Sequence, residues 1–163
     1  MSRAFVTETD REETFAVPPL ALPPGVPNRI TAEGAARLRA ELAALIEERA
    51  RLRKDDRPEA KARLLVVGPR IALLEARAPT WVETACPAQP RTVVFGTAVT
   101  LADGEGRTRA FRVVGVDEAE PAKGTVSFLA PVAAAVLGAA VGDVVRVRTP
   151  RGEEELEVVA IGV

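Results

Sequence analysis

The sequence predicts an α+β fold: an N-terminal antiparallel helical hairpin with a coiled-coil seam, then a C-terminal β-sheet domain with one short helix. Two observations lead to this prediction. Between residues 38 and 78, apolar side chains recur at alternating spacings of three and four, the period of a helix surface that meets a partner. Beyond residue 92, runs rich in Val, Thr and Phe are separated by Gly, Asp and Pro, a pattern typical of strands and turns. We therefore divide the chain into a proline-rich tail (1–28), a helical hairpin arm (29–79), a linker (80–89) and a β-rich domain (90–163).

The composition excludes several classes of function. Of the 163 residues, 22 are Lys or Arg and 23 are Asp or Glu, so a net charge of −1 gives no reason to expect independent binding to nucleic acid or to a membrane surface. The chain has no histidine, and its single Cys86 cannot form an internal disulfide or a thiolate metal cluster. We expect a monomeric, non-enzymatic, cytoplasmic protein that has no cofactor and no catalytic residue of its own, and whose partner is another protein.

The first helix is predicted from its start signal and its apolar stripe. Thr31 is a good N-cap, and a long run of Ala, Leu, Arg and Glu follows Gly34. If this helix extends to Asp56, it reaches roughly 40 Å at about 1.5 Å per residue. The stripe consists of Leu38, Leu42, Leu45, Arg49 and Leu52. Arg49 is the one charged member, and its head group either contacts a partner or extends past the seam to water.

The second helix follows the segment KDDRPEAK, in which Pro58 suits a first helical turn. Because Gly68 and Pro69 lie inside this helix, and proline removes one helical hydrogen bond, we expect a kink or a break near Val67. The stripe of this helix repeats the three-four spacing and consists of Leu64, Val67, Ile71, Leu74 and Ala78.

The β-rich domain is predicted to contain five or six strands. The strand-like runs are VVFGTAVTLAD, GEGRTRAFRVVGVD, GTVSFLAP, GDVVRVRTP and EEELEVVAIGV. Between the third and fourth of these, PVAAAVLGAAVGD has the composition of a short helix that ends at Gly138 or Gly142.

The helix opening ITAEGAARLRAEL and the C-terminal runs VGVDEAEPAKGTVS, SFLAPVAAAVLG and VGDVVRVRTPRG resemble the Gre transcript-cleavage factors. That family has an ITxEG-type opening to a coiled-coil arm, and a C-terminal domain of FKBP-like fold with corresponding VGxDEAxPxKGxxS, SPLGxALLG and VGDxVxVxTPxG elements. The resemblance covers residues 28 to 163. It implies a regulator of transcription elongation whose arm enters the secondary channel of bacterial RNA polymerase.

The resemblance also implies functional residues. The family loop that docks on the rim of the polymerase channel corresponds here to Asp117, Glu118, Glu120 and Pro121. Family members that stimulate cleavage carry an acidic GDxSEN-type motif at the arm tip, on longer helices, whereas this chain has KDDRPE. We therefore expect little or no stimulation of transcript cleavage. Any Mg²⁺ would belong to the polymerase active site.

The tip acids Asp55, Asp56 and Glu59 have two possible roles. Adjacent carboxylates are the right ligand type for Mg²⁺. They also suit a solvated helix–helix turn, in which nearby basic residues balance their charge.

Two alternative functions accompany the polymerase regulator: a competitor that displaces cleavage factors by docking alone, and a prolyl isomerase. The isomerase needs an aromatic-lined pocket, and the β-rich domain offers only Phe95, Phe111 and Phe128.

Overall fold

The computed structural model describes residues 22–163, so residues 1–21 of the predicted tail lie outside the described part of the chain. The described residues form two compact units, 22–85 and 86–163. The first holds two long helices and a pair of short strands, and the second holds a five-stranded sheet and a short helix. The mixed helix and strand content agrees with the predicted class. Among the described residues, no helix is long and apolar enough to cross a membrane.

Two helices, α1 (Ala32–Leu52) and α2 (Pro58–Arg77), form the hairpin of the first unit. The Thr31 hydroxyl accepts a hydrogen bond from the Gly34 N–H at 2.9 Å, which confirms the predicted N-cap. The helix α1 has 21 residues, which at about 1.5 Å per residue gives a length of about 31 Å. This is shorter than the roughly 40 Å expected, because the helix ends at Leu52 and does not continue to Asp56.

The predicted apolar stripes face each other along the hairpin. Leu38, Val67, Ile71 and Leu74 are buried. Ion pairs cross the hairpin in antiparallel order, from Arg70 to Glu41 at 2.7 Å and from Arg63 to Glu48 at 2.7 Å. Arg49 is half-buried within its stripe. The regular supercoiling that the term coiled coil implies stays a prediction.

The expected break near Val67 does not occur, because α2 continues from Pro58 to Arg77 with Pro69 inside it. The other expectation, a kink at this point, stays a prediction. A proline removes the hydrogen bond to the carbonyl four residues earlier, which here belongs to Leu65. Both Pro69 and Leu65 are exposed, so that carbonyl lies on the solvent side of the helix, where water can satisfy it. The helix can therefore continue past Pro69 without leaving a buried carbonyl unpaired.

Two short strands close the base of the hairpin. Strand β1 (Asn28–Ile30) pairs in parallel with β2 (Trp81–Glu83), joining the chain just before α1 to the chain just after α2. Arg39 of α1 donates to the Glu83 carboxylate at 2.8 Å and lies over the Trp81 ring at 5.8 Å from its centroid. Residues assigned from sequence to the tail and to the linker therefore take part in this pairing.

The strands of the second unit are β3 (Ala98–Ala102), β4 (Thr108–Val114), β5 (Thr125–Ser127), β6 (Val144–Thr149) and β7 (Gly152–Gly162). They form one sheet with the order β5-β4-β3-β7-β6, in which only β4 and β5 run parallel. The short helix α3 (Pro131–Val136) precedes Gly138, whose φ of +87° favours glycine. Val93, Phe111, Val113, Val136 and Val158 belong to the buried core of this unit.

Gly96 marks the close approach of two segments in the second unit. Its φ is +90°, and a Cβ added there would lie 2.8 Å from the Cβ of Cys86. The Gly96 N–H donates to the Val113 carbonyl at 2.7 Å, and the Gly96 carbonyl accepts from Arg112 Nε at 2.8 Å. Cys86, which lies within the predicted linker (80–89), thus packs against a position that only glycine can fill without strain.

Candidate functional site

The turn between α1 and α2 is organised by Asp55 and Arg57. One carboxylate oxygen of Asp55 accepts from the Arg57 backbone N–H at 3.0 Å, and the guanidinium of Arg57 contacts both carboxylate oxygens at distances from 2.6 to 3.0 Å. These hydrogen bonds from Arg57 lower the pKa of Asp55 to about 2. Arg57 immediately precedes Pro58, the first residue of α2, so the pair sets the geometry of the turn.

This arrangement bears directly on whether the tip holds a cation. The guanidinium of Arg57 occupies the side of Asp55 on which a metal ion would have to bind, and its positive charge repels one. Asp56 and Glu59 are exposed. Within residues 22–163, no three Asp, Glu or Cys side chains converge in a way that could hold a metal ion. The acids present at the tip therefore do not fit Mg²⁺ as a set.

The predicted docking segment is the loop that connects β4 to β5. The side chain of Glu118 is buried within this loop, and only 4% of the residue's surface is exposed. One of its carboxyl oxygens accepts a hydrogen bond from the buried Gly115 N–H at 2.8 Å. Glu118 is one of the residues predicted to dock, and its carboxyl is buried and bonded to its own loop. The docking role of the loop stays a prediction.

The other residues that are predicted to dock lie at the surface of the same loop. Pro121 is exposed, and Asp117 and Glu120 are half-buried. The Glu120 N–H donates to the Thr125 hydroxyl at 2.8 Å, and the Glu120 carboxylate pairs with Lys123 at 2.6 Å. Hydrogen bonds to Glu118 at its start and to Thr125 at its end give the loop a defined shape before any partner binds.

The aromatic side chains of the second unit belong to its interior. Phe95 and Phe111 are buried, and Phe95 meets Phe128 edge to face with ring centroids 5.9 Å apart. Rings that pack in this way do not line an open pocket, so they do not favour the prolyl isomerase alternative.

Comparison with known proteins decides the family. A family model described as transcription elongation factor, GreA/GreB, C-term, matches residues 88–162. The transcription elongation factor GreB of Pseudomonas aeruginosa is 37% identical over 150 residues, which cover 81% of this chain and 88% of that protein. The chain belongs to the GreA/GreB family. The predicted resemblance to the Gre family is confirmed.

Other relatives match this Gre-family chain over a shorter length. The GreA of Desulfovibrio desulfuricans is 43% identical over 70 residues, which cover 42% of this chain and 43% of that protein. The GreB of Haemophilus influenzae is 47% identical over 66 residues, which cover 40% of this chain and 42% of that protein. The matched region therefore spans less than half the length of these curated relatives.

Solved structures of related factors give a looser likeness. The crystal structure of Gfh1 from Thermus aquaticus is 27% identical to this Gre-family chain, covers 83% of it and 97% of the solved chain, and has a TM-score of 0.43. The crystal structure of GreA factor homolog 1 from Thermus thermophilus is 28% identical, covers 83% of this chain and 98% of the solved chain, and has a TM-score of 0.41. The family assignment rests on the sequence similarity to the Pseudomonas protein.

Two features of this Gre-family chain were missed by sequence reasoning. The first is the burial of Glu118, for which a loop sequence gives no signal, because residue type does not fix the direction of a side chain. The second is an exposed apolar surface on α2, where Leu65, Val66 and Leu73 point away from the seam. That surface did have a signal, since these residues repeat at helical spacing outside the predicted stripe.

Proposed function

We propose that this chain binds bacterial RNA polymerase and regulates elongation by inserting its hairpin arm into the secondary channel, with little or no stimulation of transcript cleavage. The observation that carries the proposal is the arm tip. The segment KDDRPE stands where the resemblance implies an acidic motif, and Asp55 within it is held by Arg57. The family membership and the retained loop between β4 and β5 support polymerase as the partner.

Docking is assigned to the surface of that loop, with the half-buried Asp117 and Glu120 and the exposed Pro121 facing the rim of the channel. Acidic side chains on a loop of fixed shape speed the encounter with a basic surface and fix its orientation. Glu118 contributes indirectly, because its bond to Gly115 holds the loop in shape.

The arm acts by occupying space, and the chain itself is not an enzyme. Cleavage of a transcript, where Gre-family members stimulate it, is carried out by the polymerase and its own Mg²⁺. A tip that added ligands to that ion would need carboxylates free of competing cations, whereas both oxygens of Asp55 meet a guanidinium. A polymerase partner also implies that the chain works in the bacterial cytoplasm.

The same tip favours a second role, as a competitor of cleavage factors. A chain that keeps the docking loop but cannot assist cleavage would block cleavage simply by occupying the channel. The two roles differ in what happens when no other factor is present: an elongation regulator changes the rate of the polymerase alone, whereas a pure competitor changes only cleavage stimulated by an active Gre factor.

The proposal is tested with purified polymerase and a stalled elongation complex. We expect the chain to bind the polymerase, and to suppress transcript cleavage stimulated by an active Gre factor as its concentration saturates docking. A folded chain that shows no affinity for polymerase would refute the proposal. Asp117→Lys should weaken binding, and Glu153→Lys, an exposed acid on a different hairpin of the same unit, should not.

A further inference from the structure

Helix α2 has a second apolar face, opposite the one that it buries against α1. Leu65, Val66 and Leu73 are 78%, 60% and 45% exposed. Together with Pro69, Ala72 and Ala76, which are also exposed, they form what we call the outer stripe. At 100° per residue the outer stripe spans an arc of about 120° and runs for about 17 Å along the helix.

The outer stripe carries no charge, although charged residues border it on both sides. Arg63 and Arg70 lie along one border, where they are held in ion pairs with α1. Lys61 and Glu75 lie along the other. A surface helix ordinarily presents polar residues to water, and a helix that is apolar on two opposite faces is typical of one that packs on both. The stripe is therefore expected to be covered when the protein is at work.

The size of the outer stripe argues against a second copy of the chain as its partner. Three large and three small exposed side chains give a patch on the order of 400 Å², comparable to the largest apolar patches of monomeric proteins. A stable free dimer buries about 800 Å² on each partner. The stripe alone thus offers about half of what such a dimer needs. Nucleic acid does not fit either, because the stripe presents no cation to a phosphate.

A small apolar patch is sufficient when another part of the same chain already holds the partner. The second contact is then intramolecular, and short tethers give effective concentrations in the millimolar range, on the order of 10⁻³ M. We propose that the outer stripe of α2 contacts an apolar protein surface of the polymerase. This is the same polymerase molecule on which the loop between β4 and β5 docks. This inference rests on the proposed function. It assigns the arm's binding energy to α2 and not to the acids of the tip.

The test compares full-length variants for affinity to purified polymerase. Leu65→Gln and Leu73→Gln remove apolar contact while keeping a residue of good helix propensity, and each should raise Kd about tenfold, as removal of a central contact does in other interfaces. The matched control is Ile46→Gln, an α1 residue that is 39% exposed and lies outside the stripe. It should leave Kd unchanged. Helical circular dichroism verifies that every variant keeps the hairpin.

The possible results separate the two proposals. If the unmodified chain binds and both stripe variants bind equally well, the stripe is not a polymerase contact, while the docking proposal survives. If the unmodified chain does not bind, the proposed function fails and the stripe loses its partner with it. If sedimentation shows a dimer that the stripe variants dissociate while polymerase binding is unchanged, a second copy covers the stripe and the inference is overturned.

Discussion

Replacing Glu118 with alanine tests the role that the structure gives this side chain. The substitution leaves the Gly115 N–H without the carboxyl oxygen that now accepts from it at 2.8 Å. Gly115 is buried and only 4% of Glu118 is exposed, so water cannot easily replace the lost acceptor. An unsatisfied buried N–H costs about 1–3 kcal/mol, and we therefore expect Glu118→Ala to lower the free energy of unfolding by about 2 kcal/mol.

The assay is urea unfolding of the full chain, with Glu118→Gln and Glu153→Ala as controls. Glutamine keeps an acceptor oxygen at the same place, so it should recover about half of the lost free energy, roughly 1 kcal/mol. Glu153 is exposed, and its replacement should change the free energy of unfolding by less than about 0.5 kcal/mol. If Glu118→Ala is as neutral as Glu153→Ala, Glu118 does not brace the loop, and its side chain becomes available for docking after all.

Three further predictions concern docking, backbone strain and acid titration. Asp117→Lys should slow association with polymerase and weaken binding, measured by surface plasmon resonance; unchanged kinetics would move the contact elsewhere. Gly96→Ala should lower the free energy of unfolding by about 1–2 kcal/mol from its positive φ, and by more from the contact with Cys86, and a neutral result in urea unfolding would contradict this. Carboxyl chemical shifts of Asp55 should titrate with a pKa of about 2. Because this pKa lies below the ordinary value, the bond to Arg57 stabilises the fold above about pH 4 and is lost as the pH falls through about 2. Arg57→Ala should return the pKa to its ordinary range; no such return would show that another group lowers it.

Much of the hairpin could be predicted because its signals are local. The N-cap at Thr31 and the buried positions Leu38, Ile71 and Leu74 follow from spacing within a single helix. The pairing of β1 with β2 could not be predicted in the same way. Each strand has three residues, and they are separated by the whole hairpin, so neither shows a period of its own. Their partner is defined only once the helices have brought the chain back.

The candidate site was predictable as a loop but not in its detail. The motif predicts that Asp117, Glu118 and Glu120 lie together, and the structure places them in one loop between β4 and β5. Which of the three turns inward depends on where the Gly115 N–H points after β4 ends, and a sequence contains no record of that direction. At the tip, Asp55 and Arg57 are close in sequence, yet their pairing depends on the directions of both side chains, which closeness in sequence does not fix.

We propose that this protein binds polymerase without stimulating transcript cleavage. The most direct measurement is transcript cleavage in a stalled elongation complex, with the chain at a concentration that saturates docking and with an active Gre factor as the positive control. We predict cleavage no faster than that of the polymerase alone. The proposal would be contradicted if the unmodified chain strongly stimulated cleavage and the replacement of both Asp55 and Asp56 by alanine abolished that stimulation. KDDRPE would then be a metal-holding tip.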